Sequence, residues 1–176
     1  MKIFYIIKLL SLILNTAAED KAGRILIEKN LKLAIAESCT GGLLSSLMTD
    51  VSGSSSYIHA NFVTYANEAK MKFLNVSDST LCSHGAVSIE TAQEMVLGLL
   101  NNTGADMAVA TTGVAGPTGG SEQKPVGLVY IGVGMRDNIK VFKYNVNPKY
   151  PRRLVKYLFA KRAAKLLCEF LEENVK

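Results

Sequence analysis

The stretch LKLAIAESCTGGLLSSLMTD, residues 31–50, changes its hydrophobic period halfway along. Leu31, Leu33 and Ile35 alternate with smaller or polar residues, the period-2 pattern of a strand that ends at Glu37. Leu43, Leu44, Leu47, Met48 and, just beyond, Val51 then share one face of a helix, while Ser45, Ser46, Thr49 and Asp50 share the other. Thr40-Gly41-Gly42 joins the two and opens the helix. A strand that passes straight into a helix through a glycine turn is a building unit of α/β layers.

The same switching recurs downstream. YIHANFVTYA (57–66) is rich in β-branched and aromatic residues and reads as a strand. Asn67 is placed to cap a short helix, EAKMKFL. Ser88 with Thr91 to Leu100 gives another helix, and DMAVATTG (106–113) a short buried strand. VGLVYIGVG (126–134) and IKVFKYNV (139–146) read as strands joined near MRDN as a hairpin. A last helix covers 151–173. No repeat and no interdomain linker is visible. These elements predict a single α/β domain over 1–176: a three-layer α/β/α sandwich with a mixed sheet.

The N-terminal MKIFYIIKLLSLILNTAAED has an early lysine, an apolar stretch and the small pair Ala17-Ala18, so it resembles a signal peptide. Lys8 splits the apolar stretch, and no uninterrupted run is long enough to span a bilayer. Ile6, Leu9, Leu10, Ile13, Leu14, Ala17, Ala18, Ala22, Ile25 and Leu26 fall at helical spacing, which favours an amphipathic first helix over 1–30 packed on the core.

The chain has 176 residues, 48% of them apolar, enough for one domain with a real core. Its formal charge of +5 is uneven: residues 136–176 carry +7 and the remainder −2. Such a basic end fits a solvated helix face, a phosphate-bearing substrate or nucleic acid. Cys39, Cys82 and Cys168 are isolated and odd in number, which argues against a disulfide framework. His59 and His84 stand in no metal-ligand motif, so no metal site is expected. A reduced, cytoplasmic protein without membrane attachment is expected, as is a homo-oligomer, dimer or higher.

Three features carry nucleophiles, bases or ligand-binding glycines. In AESCTGG (36–42), Ser38, Cys39 and Thr40 each offer a nucleophilic atom. The loop precedes a helix N-terminus, whose free N–H groups suit an anion or a developing oxyanion. A tight turn that needs Gly41 and Gly42 for geometry alone explains the glycines equally well. The second is TTGVAGPTGGSEQKP (111–125), long and glycine-rich, which matches neither of the phosphate-loop patterns G-x-x-x-x-G-K-[ST] and G-x-G-x-x-G. The third is VTYANEAK (63–70). A lysine in the first turn of a helix faces the positive dipole end, which disfavours its charged form, so Lys70 can serve as base toward a serine hydroxyl. Tyr65, at the end of the preceding strand, is placed to relay or hold that proton. A lone lysine is otherwise a solvated surface residue.

AESCTGG, GSSSYIHANFVTYANEAK (53–70), HGAVSIETAQEM (84–95) and TTGVAGPTGGSEQKPVGLVYIGVG (111–134) resemble, in order and spacing, the consecutive signature blocks of the CinA C-terminal domain family. That family is also known as PncC, the nicotinamide mononucleotide amidohydrolases (deamidases). The match runs from about Lys32 to Gly134. The resemblance implies a three-layer α/β/α fold and hydrolysis of the carboxamide of nicotinamide mononucleotide to nicotinic acid mononucleotide and ammonia, without metal or cofactor. By position it puts the serine nucleophile on Ser38, the lysine on Lys70 and the active-site tyrosine on Tyr65. Thr40, Gly41, Gly42, Asn67, Thr112, Gly113, Gly116 and Gly120 fall at substrate-binding positions. Longer members carry an N-terminal molybdopterin-binding-like domain, for which 176 residues leave no room. Where members usually show Gly-Asp-Arg, with arginines that suit a nucleotide phosphate, this chain reads NVNPKYPRRLVKY (145–157), and Arg152 or Arg153, the latter taken as the binding residue, stands in.

Two other readings stay open. One is a non-catalytic, competence-associated binding module. It has only the basic C-terminal region in its favour, without a helix-turn-helix signature or base-stacking aromatics, so nucleic acid is not the expected partner. The other is an amidase with the same site and a different substrate.

Overall fold

The structure, a computed structural model, describes residues 16–175. Of the helix expected over 1–30, the part within that range is α1, Ala17–Glu28; residues 1–15 lie outside the described residues, as does the signal-peptide reading of them. Then follow β1 (Leu33–Glu37), α2 (Leu43–Thr49), a 3-10 turn (Ser54–Ser56), β2 (Ile58–Val63), α3 (Asn67–Leu74), α4 (Asp78–His84), α5 (Ile89–Thr103), β3 (Met107–Gly113), β4 (Leu128–Met135), β5 (Asn138–Asn145) and α6 (Arg152–Asn174).

The strands form one mixed sheet in the order β2-β1-β3-β4-β5. β1 pairs parallel with both β2 and β3, whereas β4 runs antiparallel to both β3 and β5. The β4–β5 hairpin turns at Arg136-Asp137, with Met135 opposite Asn138, where the sequence predicts it.

The pleat sorts large from small residues. Leu33, Ile35, Met107, Val109, Val129, Ile131 and Val133 face a core shared with α1, α2 and α6. Ala34, Ala36, Ala108 and Ala110 face the other core, filled by Leu74, Leu81, Met95, Val96, Leu99 and Leu100. Small side chains on that face let α5 lie close to the sheet. A Cβ on Gly132 would stand 2.6 Å from a Val96 methyl and 2.9 Å from the Ala92 carbonyl. α1 and α6 are tied by an ion pair, Lys161 to the buried Glu19 at 2.6 Å. Helices therefore cover both faces, as an α/β/α sandwich requires.

Two local features differ from the sequence expectations. α3 starts at Asn67, with Ala66 in the cap position and no side-chain cap, so Asn67 is the first helical residue rather than the cap. α4 has no counterpart in the hydrophobic pattern because it buries a single residue, Leu81; its signal is polar, Ser77 accepting a hydrogen bond from the Thr80 N–H.

α3 rests on α5 at Gly98, where an added Cβ would lie 1.7 Å from the Leu74 carbonyl oxygen. Alanine is the better helix former by about 1 kcal/mol. We nevertheless expect Gly98→Ala to lower stability by about 1–3 kcal/mol, as overpacking does. Denaturant unfolding checks this, and an unchanged or raised midpoint would show that the two helices are not seated so closely.

Candidate active site

β1 ends in two polar residues, and alternation along the strand sends their side chains to opposite faces. Glu37 turns toward α2. Its carboxylate accepts from the N–H groups of Gly42 and Leu44 (both 3.0 Å) and from the N–H (2.8 Å) and hydroxyl (2.6 Å) of Ser45. Ser38 turns toward α3 and meets Lys70. The glycine turn works as expected, since Gly41 and Gly42 adopt φ of +63° and +96°, which only glycine takes cheaply. The expectation for the helix N-terminus is corrected, however: Glu37 takes the donors that a bound anion would use.

Lys70 is 1% exposed. Its Nζ reaches Ser38 Oγ at 3.1 Å, the Thr64 carbonyl at 2.9 Å and the Tyr65 carbonyl at 3.1 Å. These three partners match the three tetrahedral positions on the nitrogen. Two carbonyls fix two N–H bonds. The third position faces Ser38, and holds an N–H when the lysine is charged or a lone pair when it is neutral. Burial lowers the lysine's pKa from its ordinary value, with Cys39 and Glu68 acting in the opposite direction.

Cys39 and the other two candidate nucleophiles now separate. Cys39 is 4% exposed, and burial pushes its thiol up to about 12, so little of the nucleophilic thiolate exists at neutral pH. Thr40 is fully buried with its hydroxyl 2.7 Å from that of Thr111, a brace between β3 and the loop rather than part of a substrate surface.

A cavity of about 190 Å³ opens onto Ser38, and Lys70, Tyr65, Thr112, Gly113 and Arg152 are among its walls. Thr112 Oγ1 donates to the Ala86 carbonyl at 2.5 Å, tying the wall to the segment before α5. A larger depression of about 540 Å³, between α1, β5 and α6, contains neither Ser38 nor Lys70.

Tyr65 is placed differently from a proton relay. Its ring is 61% exposed, its phenolic oxygen accepts from Arg152 Nη2 at 2.9 Å, and Lys70 meets only its backbone. Arg152 also donates to the Gly116 carbonyl at 2.6 Å. That bond pins the glycine-rich loop, whose far end is held by Lys124 Nζ on the His84 carbonyl at 2.5 Å. Arg152, not Arg153, therefore stands at the mouth. The first residue of α6 faces the cavity, and its exposed neighbour is turned by the helical step.

Gly41, Gly42, Asn67 and Gly120 also fall outside the cavity wall. Gly120 instead packs on its own loop, where an added Cβ would stand 2.8 Å from the Val126 nitrogen. Glu37 was missed because a carboxylate ending an apolar strand gives no spacing signal. It stands inside AESCTGG, where the adjacent nucleophiles draw the reading, and its donors begin five residues later at the helix start. Among the described residues no group of three or more His, Cys, Asp or Glu side chains is disposed to hold a metal, and no helix is long and apolar enough to cross a membrane.

Residues 15–171 match the model of the CinA C-terminal domain. A CinA-like protein of Chloroherpeton thalassium is 56% identical over 115 residues, covering 65% of this chain and 27% of that protein. A putative competence-damage inducible protein of Caldicellulosiruptor bescii is 47% identical over 143 residues, 81% of this chain and 34% of its own length. The chain thus spans about a third or less of the curated relatives it matches. Among solved structures, a CinA superfamily protein of Klebsiella pneumoniae 700603 superposes with TM-score 0.85 at 33% identity, covering 90% of this chain and 99% of that one. The competence/damage inducible protein CihA of Agrobacterium tumefaciens does so with TM-score 0.81 at 38% identity, covering 86% and 94%.

The burial of Cys39 is testable without any substrate. Iodoacetamide should alkylate the exposed Cys82 of the native protein and leave Cys39 unmodified until denaturant is added, as peptide mass spectrometry would show. Alkylation of Cys39 at a rate comparable to Cys82 would restore it as a rival nucleophile.

Proposed function

The chain belongs to the CinA C-terminal domain family, and from that premise we propose that it is an amidohydrolase in which Ser38 attacks a carboxamide and Lys70 serves as the base, with nicotinamide mononucleotide as substrate. The observation that carries the reading is the 3.1 Å contact between Ser38 Oγ and the buried Lys70 Nζ at the floor of a cavity. Nucleophile and base within hydrogen-bond reach, with the base oriented by further groups, is the arrangement that covalent catalysis needs.

In the proposed sequence neutral Lys70 takes the Ser38 proton as Oγ bonds to the amide carbon. The carbonyl electron pair moves onto oxygen. Ser38 N–H is committed to the Thr111 carbonyl at 3.0 Å, so it is not an oxyanion donor. Collapse expels the amide nitrogen, which takes the proton back from Lys70 and leaves as ammonia. The Ser38 ester is then hydrolysed by water, again with Lys70 as base, giving the acid and free Ser38.

Substrate choice rests on the family resemblance and two features of the mouth. The cavity is smaller than the roughly 300–1,000 Å³ of sites that enclose a whole drug-sized ligand, which suits burial of a carboxamide-bearing ring with the remainder outside. Arg152 offers that remainder a fixed cation, suited to phosphate. A second reading, a competence-associated binding module, is favoured by the basic C-terminal region and by the relatives' names. Binding to DNA at physiological salt by a protein that releases no ammonia from any amide would support it.

The test of the leading reading is ammonia release from a panel of amides with and without the ribose phosphate. Nicotinamide mononucleotide should be the preferred member. Ser38→Ala should lose activity by several orders of magnitude with the fold intact, and Cys39→Ala should keep it. A dead Cys39→Ala beside an active Ser38→Ala would reverse the assignment.

Lys70 gives the pH dependence. The competent form is neutral and the buried pKa is lowered, so kcat/KM should rise with pH and level off at a midpoint below the ordinary lysine value of 10.5. Lys70→Arg should be nearly inactive despite keeping its charge, because arginine does not give up its proton. A Lys70→Arg protein with most of its activity would make Lys70 an electrostatic holder and end the Ser–Lys mechanism.

A further inference from the structure

We propose that Glu37 is a positioning residue for Ser38, its buried carboxylate fixing where β1 ends and thereby holding Ser38 Oγ within reach of Lys70. The inference rests on the Ser–Lys reading of the site. Glu37 is fully buried. An ionised carboxylate offers about four lone-pair sites, and here four donors fill them: two on Oε2, from Gly42 and Leu44, and two on Oε1, both from Ser45.

The backbone of the same residue completes the linkage. Its carbonyl accepts from the Thr64 N–H at 2.9 Å, and the Thr64 carbonyl in turn accepts from Lys70 Nζ at 2.9 Å. Glu37 is thus bonded through its side chain to the helix that follows the nucleophile and through its main chain to the residue that orients the base. Ser38, its neighbour, has its N–H fixed on Thr111. Little freedom is left to the serine except rotation about its own Cα–Cβ bond. The same bonds occupy the Gly42, Leu44 and Ser45 N–H groups at the start of α2, which are therefore not offered to an outside anion.

The test is Glu37→Gln, equal in size but with an NH2 group in place of one acceptor oxygen. That amide presents hydrogens toward Ser45 N–H, and the loop must shift. The expected result with nicotinamide mononucleotide is a kcat lower by about 10- to 100-fold, the scale of a misplacement near 1 Å, with KM within about twofold of wild type. A crystal structure of the variant should show Ser38 Oγ beyond hydrogen-bond reach of Lys70 Nζ. A folded variant with wild-type kcat, a loss confined to KM, or an unmoved Ser38 would each overturn the proposal.

If Glu37→Gln does not fold, Ser45→Ala decides, since it deletes one bond and keeps the carboxylate. A kcat lower by about 2- to 10-fold, the equivalent of one hydrogen bond, with KM unchanged or Ser38 displaced, supports the positioning role. Wild-type kcat with Ser38 in place overturns it. The structural readout needs no turnover. A wild-type protein that releases no ammonia therefore removes the proposed function while the position of Ser38 in the variants still decides the role of Glu37.

Discussion

The pleat at the end of β1 sends two consecutive polar side chains to opposite faces of a fully buried strand, and the site is arranged around that divergence. A central strand covered on both sides offers Glu37 no solvent and Ser38 only the cavity, so each finds partners inside the protein. Glu37 finds them in the first turn of α2, below one face. Ser38 finds Lys70, delivered by α3 above the other. The asymmetry of the two cores follows from the same alternation: large aliphatic residues toward α1, α2 and α6, alanines toward α5. The alanine face lets α5 come close to the sheet, and α3 is seated in turn on Gly98 of α5. The reach of Lys70 to Ser38 thus depends on small residues two layers away.

A buried lysine is expensive, and in the proposed mechanism the expense is part of the chemistry. Desolvation penalises the ammonium, and the penalty is what makes the free amine accessible at lower pH. Two carbonyls receive its N–H bonds in either protonation state, so the nitrogen need not move when its proton does. The same burial has the opposite consequence at Cys39. There it raises the thiol to about 12, because the anion is the reactive form of cysteine whereas the neutral form is the reactive one of lysine. One dry environment therefore favours the lysine as base and disfavours the neighbouring cysteine as nucleophile. The inherently stronger nucleophile in AESCTGG is the one left without activation.

Much of the architecture was legible because it is written in periods. The strand at 33–37, the hairpin at 135–138, the long last helix and the Ser38–Lys70 pairing all follow from alternation, helical spacing or quoted motifs. What stayed illegible depends on direction rather than on spacing. Arg152 and Arg153 are equivalent in the sequence; the helical step at the start of α6 separates them. Thr40 lies in a glycine loop that looks like a substrate surface, yet its hydroxyl turns inward to Thr111. Tyr65 is near Lys70 along the chain, but only its carbonyl points there while its ring leaves for the mouth. Glu37 stands inside AESCTGG, yet the motif does not say what it binds, because three of its four donors are backbone groups, which every sequence supplies.

The mouth completes the physical constraint on what the site accepts. Its floor is a serine and a lysine, its wall Thr112 and Gly113, and its rim a tyrosine and an arginine already bonded to each other. Among the described residues Arg152 gives one hydrogen bond to Tyr65 and one to the Gly116 carbonyl, both neutral acceptors, which orient its positive charge without neutralising it. With Glu37 occupying the helix start, the arginine is the fixed cation on the cavity rim. On the proposed reading, the floor takes a neutral, cleavable group and the rim an anion. The small volume between them favours a flat ring as the connecting piece. The substrate proposed above, an amide on an aromatic ring that carries a phosphate through a sugar, would meet each of these demands with a different part of the molecule. The removal of any one part should therefore weaken a separable step of binding or reaction.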